Sequence, residues 1–472
     1  MNNNHYDVVV IGAGLSGLSA ATRLGMFGKK VLLLEKHYVV GGLNSFYAKK
    51  SKKFDVGLHA LTNYPSEYSG KKSPLLKLCR QLRIPFDSLD LHEQSYSRIS
   101  FPGKDLVFTN HFPDFLEQIH QHFPKSIDPF AKLMNKMEGF PAYSVEAPEL
   151  STREILAHSE IEPMLCEMLL CPTCYYGSAR TDDIDFPTFV MLFDAIFKQG
   201  LARPERGIRA ILDPLCKKLK ELGIERCMNA GVKKLHARND KIEEIELESG
   251  ESIKADKIIS TCGGIETELL LSDHQSENSS TELGAFSVIE TISVIQGTAK
   301  QFGWEETVIF FNNSEQFDYK CPNDLVDIKS GVICIPENYR SSREATEFKL
   351  RITHPANFSK WDALLKDEYQ EQKSAFESLL LKNGLKYLNN LKMNEESLSK
   401  SILMTDTFTP KTIKRFTSHE NGTLYGSPTK ARDGSTRFEN LYLAGTDQGY
   451  IGIVGAMLGG IAIANNRILR SG

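Results

Sequence analysis

The chain has no long run of like charge, no internal repeat and no low-complexity tract. Its 56 basic and 60 acidic side chains leave a formal charge of -4, so nothing concentrates positive charge for a polyanion, and nucleic acid is excluded as an expected partner. The nine cysteines are odd in number and scattered from Cys79 to Cys334. That usage suits a reducing compartment rather than a disulfide scaffold, and a cytoplasmic location is expected. No Lys or Arg stands between Met1 and Asp7, so the charged lead of a secretory signal is missing. Val8 to Gly28 is apolar enough to invite a membrane-span reading, yet it is rich in glycine and carries Arg23. No transmembrane helix is expected there.

What remains is a chain of 472 residues, 41% hydrophobic and 25% charged, large enough for two or three domains with proper cores. Tyr6 to Ile11 reads as a buried strand, Leu15 to Phe27 as a helix and Lys30 to Glu35 as a second buried strand, one βαβ unit of a doubly wound sheet. From about residue 70 to 204 the pattern becomes mostly helical, with amphipathic stretches at Phe112 to Phe123, Ile161 to Leu170 and Pro187 to Leu201. A helix over Gly207 to Leu222 precedes strands at Gly231 to Ala237, Lys241 to Leu247 and Ser252 to Ile259. A second β-rich block spans Phe286 to His354, and Trp361 to Leu391 is helical. The strand Asn440 to Ala444, a Gly-rich turn and a helix over Gly455 to Leu469 complete the pattern.

Gly12-x-Gly14-x-x-Gly17 follows the first strand and opens the first helix, the setting in which this spacing has a mechanism. Gly12 permits the tight turn, Gly14 lets amides approach a pyrophosphate, and Gly17 lets helix and strand pack closely. The helix N-terminus offers oriented N–H groups to phosphate. Glu35, at the end of the next strand, can accept both ribose hydroxyls and disfavours a 2′-phosphate. The pair Gly41-Gly42 then follows, where a simple NAD dehydrogenase has no need of one. Glu35-x5-Gly41-Gly42 resembles FAD-binding proteins related to glutathione reductase and the amine oxidases, so the cofactor expected is FAD. Near the other end, Asp447 is placed to meet the ribityl or pyrophosphate region, and the amides around Ile453 to Ala456 can face the pyrimidine end of a flavin.

Across nearly the whole chain the segments resemble, in order, the phytoene desaturase and carotenoid isomerase family, and within it the retinol saturase branch. They are Tyr6 to Glu35, Gly41 to His59, Arg203-Pro204-Glu205-Arg206-Gly207, Ala255 to Ser260, Thr409-Pro410 through Tyr425-Gly426, and Leu441 to Gly460. Gly445-Thr446-Asp447 and Gly57-Leu58-His59 tilt the resemblance towards that branch. It implies an α/β fold: a Rossmann-type FAD-binding domain, amine oxidase-like, from residues 1–70, 205–265 and 409–472, interleaved with an α+β substrate domain. The latter divides into a mainly helical, substrate- or membrane-facing region at 71–204 and a sheet-plus-helix region at 266–408. FAD contacts are implied at Gly12, Ala13, Gly14, Leu15, Ser16, Gly17, Glu35, Lys36, Gly41, Gly42, Leu43, Asn44, Leu58, His59, Val232, Gly445, Asp447, Ile453, Val454 and Ala456. Two departures stand out: Leu43 occupies a place that is often basic in the amine oxidases, and Arg206 stands where a glycine pair usually follows the proline.

Family members move hydride between FAD and a C–C or C=C bond of a long apolar polyene, or isomerise one, with flavin N5 carrying the chemistry. The resemblance therefore implies a hydrophobic isoprenoid substrate, with peripheral membrane contact in drawing it from a bilayer. No side chain is implied as a universal catalyst; His59 is the candidate beside the flavin, against a loop histidine satisfied by a carbonyl. No second Gly-x-Gly-x-x-Gly follows a strand, so the electron partner is oxygen, a quinone or transiently bound NAD(P)H. Cys171-Pro172-Thr173-Cys174, with Cys166 nearby, has the spacing of a redox pair or metal ligands, but without a thioredoxin-like βαβ setting buried structural thiols are expected and no metal. The stripe Phe186, Phe189, Val190, Phe193, Ile196 and Phe197 is read as core, with a tunnel or bilayer role as the alternative. Two competing functions share the fold: an amine oxidase, for which Tyr442 and Tyr450 are poor evidence of an aromatic cage, and a non-catalytic prenyl-binding protein resembling the GDP dissociation inhibitors.

Overall fold

A computed structural model describes residues 5–65, 73–271, 282–284, 286–341, 345–388 and 395–470. Two seven-stranded sheets organise them. In the first, His5–Ile11 lies parallel to Val31–Leu34 on one side and to Ser252–Ser260 on the other. Glu225–Cys227 extends the sheet beyond Val31–Leu34, and Leu441–Leu443 pairs with the last residues of Ser252–Ser260. At the centre of the sheet Val8 to Ile11 and Val31–Leu34 are continuous apolar runs because both their faces are covered. One face is sealed by the helices Leu15–Gly25, Arg209–Glu221 and Gly452–Ile463.

The first residues of Ser252–Ser260 pair antiparallel with Lys241–Leu247, which pairs with Val232–Arg238. One strand thus belongs to both the nucleotide fold and the meander. Gly452–Leu469 is the one helical stretch among the described residues long and apolar enough to cross a membrane, and 50% of it is buried. Its approach to the first helix is close: a Cβ on Gly460 would lie 2.1 Å from the Ser16 carbonyl oxygen.

The second sheet runs in the order Ile402–Phe408, Ser287–Gln296, Glu347–Ala356, Ser330–Cys334, Val308–Asn312, Ser97–Phe101, Lys104–Phe108. Alternation gives its strands two faces. Val288, Ile292, Val294, Phe310 and Val332 pack on the helices Pro163–Gly177 and Phe186–Phe193. Ile295, Ile309, Ile333, Phe348 and Ile352 face the other way, towards Lys366–Leu385. The region 71–204, read from the sequence as mainly helical, therefore also gives this sheet an edge hairpin, turned at Gly103 with φ 72°. The helix read over Trp361 to Leu391 is two helices, Phe358–Ala363 and Lys366–Leu385, and its residues 389–391 lie outside the described ones.

Phe186–Phe193 is buried on every side and continues into a π-helical turn at Asp194–Lys198. It is not amphipathic: all six residues of the stripe lie in the core, and Phe197 stacks on Phe115 at 4.4 Å. Cys171 and Cys174 fall inside the helix Pro163–Gly177, with free thiols. Burial pushes both thiols well above the usual range, which removes the thiolate that redox or metal chemistry needs. No metal-binding group of three or more ligands occurs among the described residues.

Candidate active site

Glycine shapes the first half of the site. Gly12 turns at φ 98°, with the position of a Cβ only 2.6 Å from Thr261 Oγ1. Gly17 meets no ligand space: its Cβ would lie 2.0 Å from the Gly12 carbonyl oxygen, so its role is the close packing of helix on strand. Gly14 is the opposite case, since nothing stands within 4 Å of where its Cβ would be. It faces an open cleft.

That cleft, ≈ 470 Å³, starts at Glu35, Lys36, His37 and Val232, passes Gly12, Gly14, Leu15, Ser16 and Gly41 through Asn44, and reaches Gly445, Ile453 and Ala456. Two helices begin in it. Leu15–Gly25 and Gly452–Ile463 both start without a side-chain cap and without an acid in the first turn. Their orphan N–H groups and positive dipole ends converge on one space, an arrangement that suits pyrophosphate and an electron-rich ring edge. Glu35 closes the ADP end, its Oε2 accepting from the Ala13 N–H at 2.7 Å and its Oε1 from the His37 N–H at 2.8 Å. Lys36 stands at the mouth, paired with Glu248 at 3.0 Å.

Three of the expected residues turn their side chains away from the cleft. Asp447 does not face the cleft: its carboxylate accepts from the Gly264 N–H at 2.6 Å and the Ser427 N–H at 2.8 Å, with Lys430 Nζ at 3.5 Å. A buried carboxylate must be satisfied, and here it ties two loops together behind the cleft. The Leu58 and Val454 side chains are buried in the core under the first sheet. Ala13 contributes only its backbone, through Glu35.

The far end of the cleft opens into a chamber walled by Val56, Val288, Val332, Phe408, Leu424 and the tyrosines Tyr175, Tyr176, Tyr425 and Tyr450. His59 and Thr353 line the same cavity. His59 Nε2 lies 3.3 Å from Glu290 Oε1 and 3.5 Å from Thr353 Oγ1. Arg351 Nε donates to the same Glu290 oxygen, while its Nη1 donates to the Leu58 carbonyl at 2.8 Å and its Nη2 to the Val56 carbonyl. Arg203 donates to the Leu58 and His59 carbonyls and, at 2.6 Å, to Asp55. Gly207 makes room for that carboxylate, since a Cβ there would meet Asp55 Oδ2 at 2.1 Å.

Burial alone would push the Glu290 carboxyl up, but Arg351 and His59 outweigh it and hold the group below the usual carboxylate range. Burial also dominates at His59 and lowers it, with Glu290 opposing and Arg351 assisting. The result is an ionised Glu290 bonded to a neutral imidazole.

Glu290, Arg351, Thr353, Tyr175 and Tyr176 were not singled out from the sequence, while Arg203 and Tyr425 entered only within matching segments and Tyr450 only as poor evidence of an aromatic cage. The pair had a signal: one Glu in SVIETISVIQ and one Arg in EFKLRITHPA, opposite charges inside two strands that are otherwise almost wholly buried. Register brings them together, because Glu290 pairs with Thr353 and Ile292 with Arg351.

FAD suits this frame: an ADP end with an acid, an amide-lined middle, and a far end lined by aromatic and aliphatic side chains. Comparison with known proteins agrees. Residues 15–466 match the family described as flavin containing amine oxidoreductase. The chain is 23% identical to the chloroplastic prolycopene isomerase of Daucus carota, over 94% of this chain and 76% of that protein. It is 24% identical to a 4,4′-diaponeurosporene oxygenase of Staphylococcus aureus (strain USA300), over 93% of each. Among solved structures, an oxidoreductase from Methanosarcina mazei aligns with TM-score 0.66 and 17% identity, covering 97% of this chain and 100% of that one. A putrescine oxidase bound to putrescine aligns with TM-score 0.64 and 14% identity over 99% of both chains. The chain therefore belongs to the flavin-containing amine oxidoreductase family and is an FAD-dependent oxidoreductase, with carotenoid isomerases and oxygenases among its curated relatives.

Proposed function

We propose that the enzyme acts on a C–C or C=C bond of a hydrophobic isoprenoid of carotenoid or retinoid type, as desaturase, saturase or isomerase. The observation that carries this reading is the set of aromatic and aliphatic walls around His59 (Val56, Val288, Val332, Phe408, Leu424 and four tyrosines), with the acid behind His59, Glu290, already paired with Arg351. Such walls favour an apolar π-system, and the carboxylate nearest His59 has its charge taken up by Arg351. FAD, when bound, supplies reversible two-electron chemistry as a hydride acceptor or donor at N5. The protein's own share is to hold the ADP on Glu35 and two helix N-termini, to exclude water with the chamber walls, and to present His59 at the substrate side. Reoxidation or reduction falls to oxygen, a quinone or transient NAD(P)H, and the substrate enters from a membrane surface.

The second reading, an amine oxidase, gains from Tyr175, Tyr176, Tyr425 and Tyr450, which give the chamber the aromatic lining that the sequence alone did not reveal. Anaerobic flavin spectroscopy separates the two. Mixing the purified holoenzyme with phytoene, retinol and putrescine should change the flavin spectrum with a polyene and leave it unchanged with the diamine; bleaching by putrescine alone overturns the isoprenoid reading.

A further inference from the structure

His59 has one nitrogen engaged and one left over. With Nε2 held between Glu290 and Thr353, and Glu290 ionised, the proton of the neutral ring sits on Nε2. Nδ1 then carries a lone pair, and no hydrogen bond to it is present among the described residues. The side chain is 17% exposed and lines the chamber, whereas Glu290 is 4% exposed and Arg351 2%. The loop carrying His59 is fixed from behind: its carbonyl accepts from Arg203 at 3.1 Å, Tyr339 Oη at 3.3 Å and Cys334 Sγ at 3.6 Å. Of the titratable groups around the ring and its backbone, Glu290 and Arg351 are locked in an ion pair, Arg203 is paired with Asp55, and Tyr339 and Cys334 are turned to the His59 carbonyl. A basic nitrogen on a ring that lines the cleft and is oriented by a buried carboxylate is the arrangement of a general base.

We propose that His59 is the proton acceptor of this enzyme, with Nδ1 as the accepting atom and Glu290 as the residue that positions it. In the dehydrogenating direction a substrate C–H or N–H bond breaks, its proton joins Nδ1, and its electron pair becomes the π-bond. The neighbouring hydrogen leaves with its own pair to the oxidised flavin, so the substrate loses two electrons and two hydrogens. The saturating direction is the reverse, with His59 donating. The assignment rests on the family's flavin chemistry and holds for an isoprenoid or an amine alike.

The first test needs no turnover. Holoenzyme labelled with ¹⁵N-histidine, its His59 signal identified by loss in His59→Asn, should show at pH 7 a neutral ring protonated at Nε2. A charged ring or an Nδ1–H tautomer overturns the proposal. The second test is anaerobic flavin bleaching by phytoene in detergent micelles. His59→Asn should slow it by at least ~100-fold at unchanged FAD content, and imidazole should restore part of the rate in His59→Ala. Glu290→Gln should move the acid limb of the pH profile to lower pH, by about one unit. Unchanged rates in the His59 variants overturn the proposal. If phytoene fails to bleach the wild-type flavin, the isoprenoid reading falls instead, benzylamine takes its place as the probe, and the ¹⁵N result stands separately.

Discussion

The two halves of the site are made of different materials. The dinucleotide end is built from backbone: glycines at φ angles of 98°, 113° and 57° for Gly12, Gly41 and Gly42, and two helix starts with free amides. The chamber is built largely from side chains carried on a sheet, with a buried ion pair behind His59. Backbone is the same in every sequence, so an ADP cradle recurs wherever the glycines allow it. Side chains differ, so on the proposed reading the second half is where selectivity for substrate is expected. The halves should also fail differently.

The largest expected effect is at the chamber. Glu290→Ala leaves the Arg351 charge buried without its partner and should cost about 4 kcal/mol, read by denaturant unfolding. If the loss is under ~1 kcal/mol, the ion pair does not hold this half together. Next comes the cradle. Gly17→Ala drives a methyl into the Gly12 carbonyl and should cost about 3 kcal/mol, together with loss of bound FAD read by absorbance. Retained flavin would mean that helix and strand can separate there without harm.

Acid should loosen the second sheet. Burial pushes His354 down to about 4, while its Nδ1 donates to the Ser330 carbonyl at 2.8 Å. Its folded value lies below the unfolded one near ~6.5. The stabilisation is therefore complete above that value and is lost as pH falls towards 4, about 3 kcal/mol in all. Hydrogen exchange should show Glu347–Ala356 opening before His5–Ile11 on acidification, and His354→Gln should flatten the difference. The smallest effect is a gain: the Tyr176 hydroxyl is buried without a partner among the described residues, so Tyr176→Phe should stabilise by about 1 kcal/mol in thermal unfolding.

The same division decided what could be read in advance. Tyr6 to Glu35 was legible because strand, turn, helix and acid are contiguous and each residue's task is local. Gly14, Glu35, Gly41 and Gly42 accordingly line the cleft. Asp447 also looked local, a polar side chain after a strand, yet its partners Gly264 and Ser427 lie in loops that only the folded chain brings near. The hairpin Ser97–Phe101 and Lys104–Phe108 was hidden by its brevity and by helical patterns on both sides. Glu290 and Arg351 meet through strand register, and Tyr175 with Tyr425 through the docking of a helix on a loop, the Tyr425 hydroxyl donating to the Tyr175 carbonyl. No window of sequence contains such a neighbourhood.

The contact between Leu15–Gly25 and Gly452–Ile463 has a consequence for biosynthesis. One half of the amide cradle emerges from the ribosome early and waits for the other until nearly all of the described chain has been made. Flavin capture is therefore a late event, and the vitamin acts as a clasp: it draws together segments far apart in sequence and adds RT ln(1 + [FAD]/Kd) to the stability of the finished fold. Cells short of riboflavin would be left with molecules whose first helix has no mate held against it, an open form exposed to proteolysis, so the abundance of this enzyme should follow the supply of its cofactor.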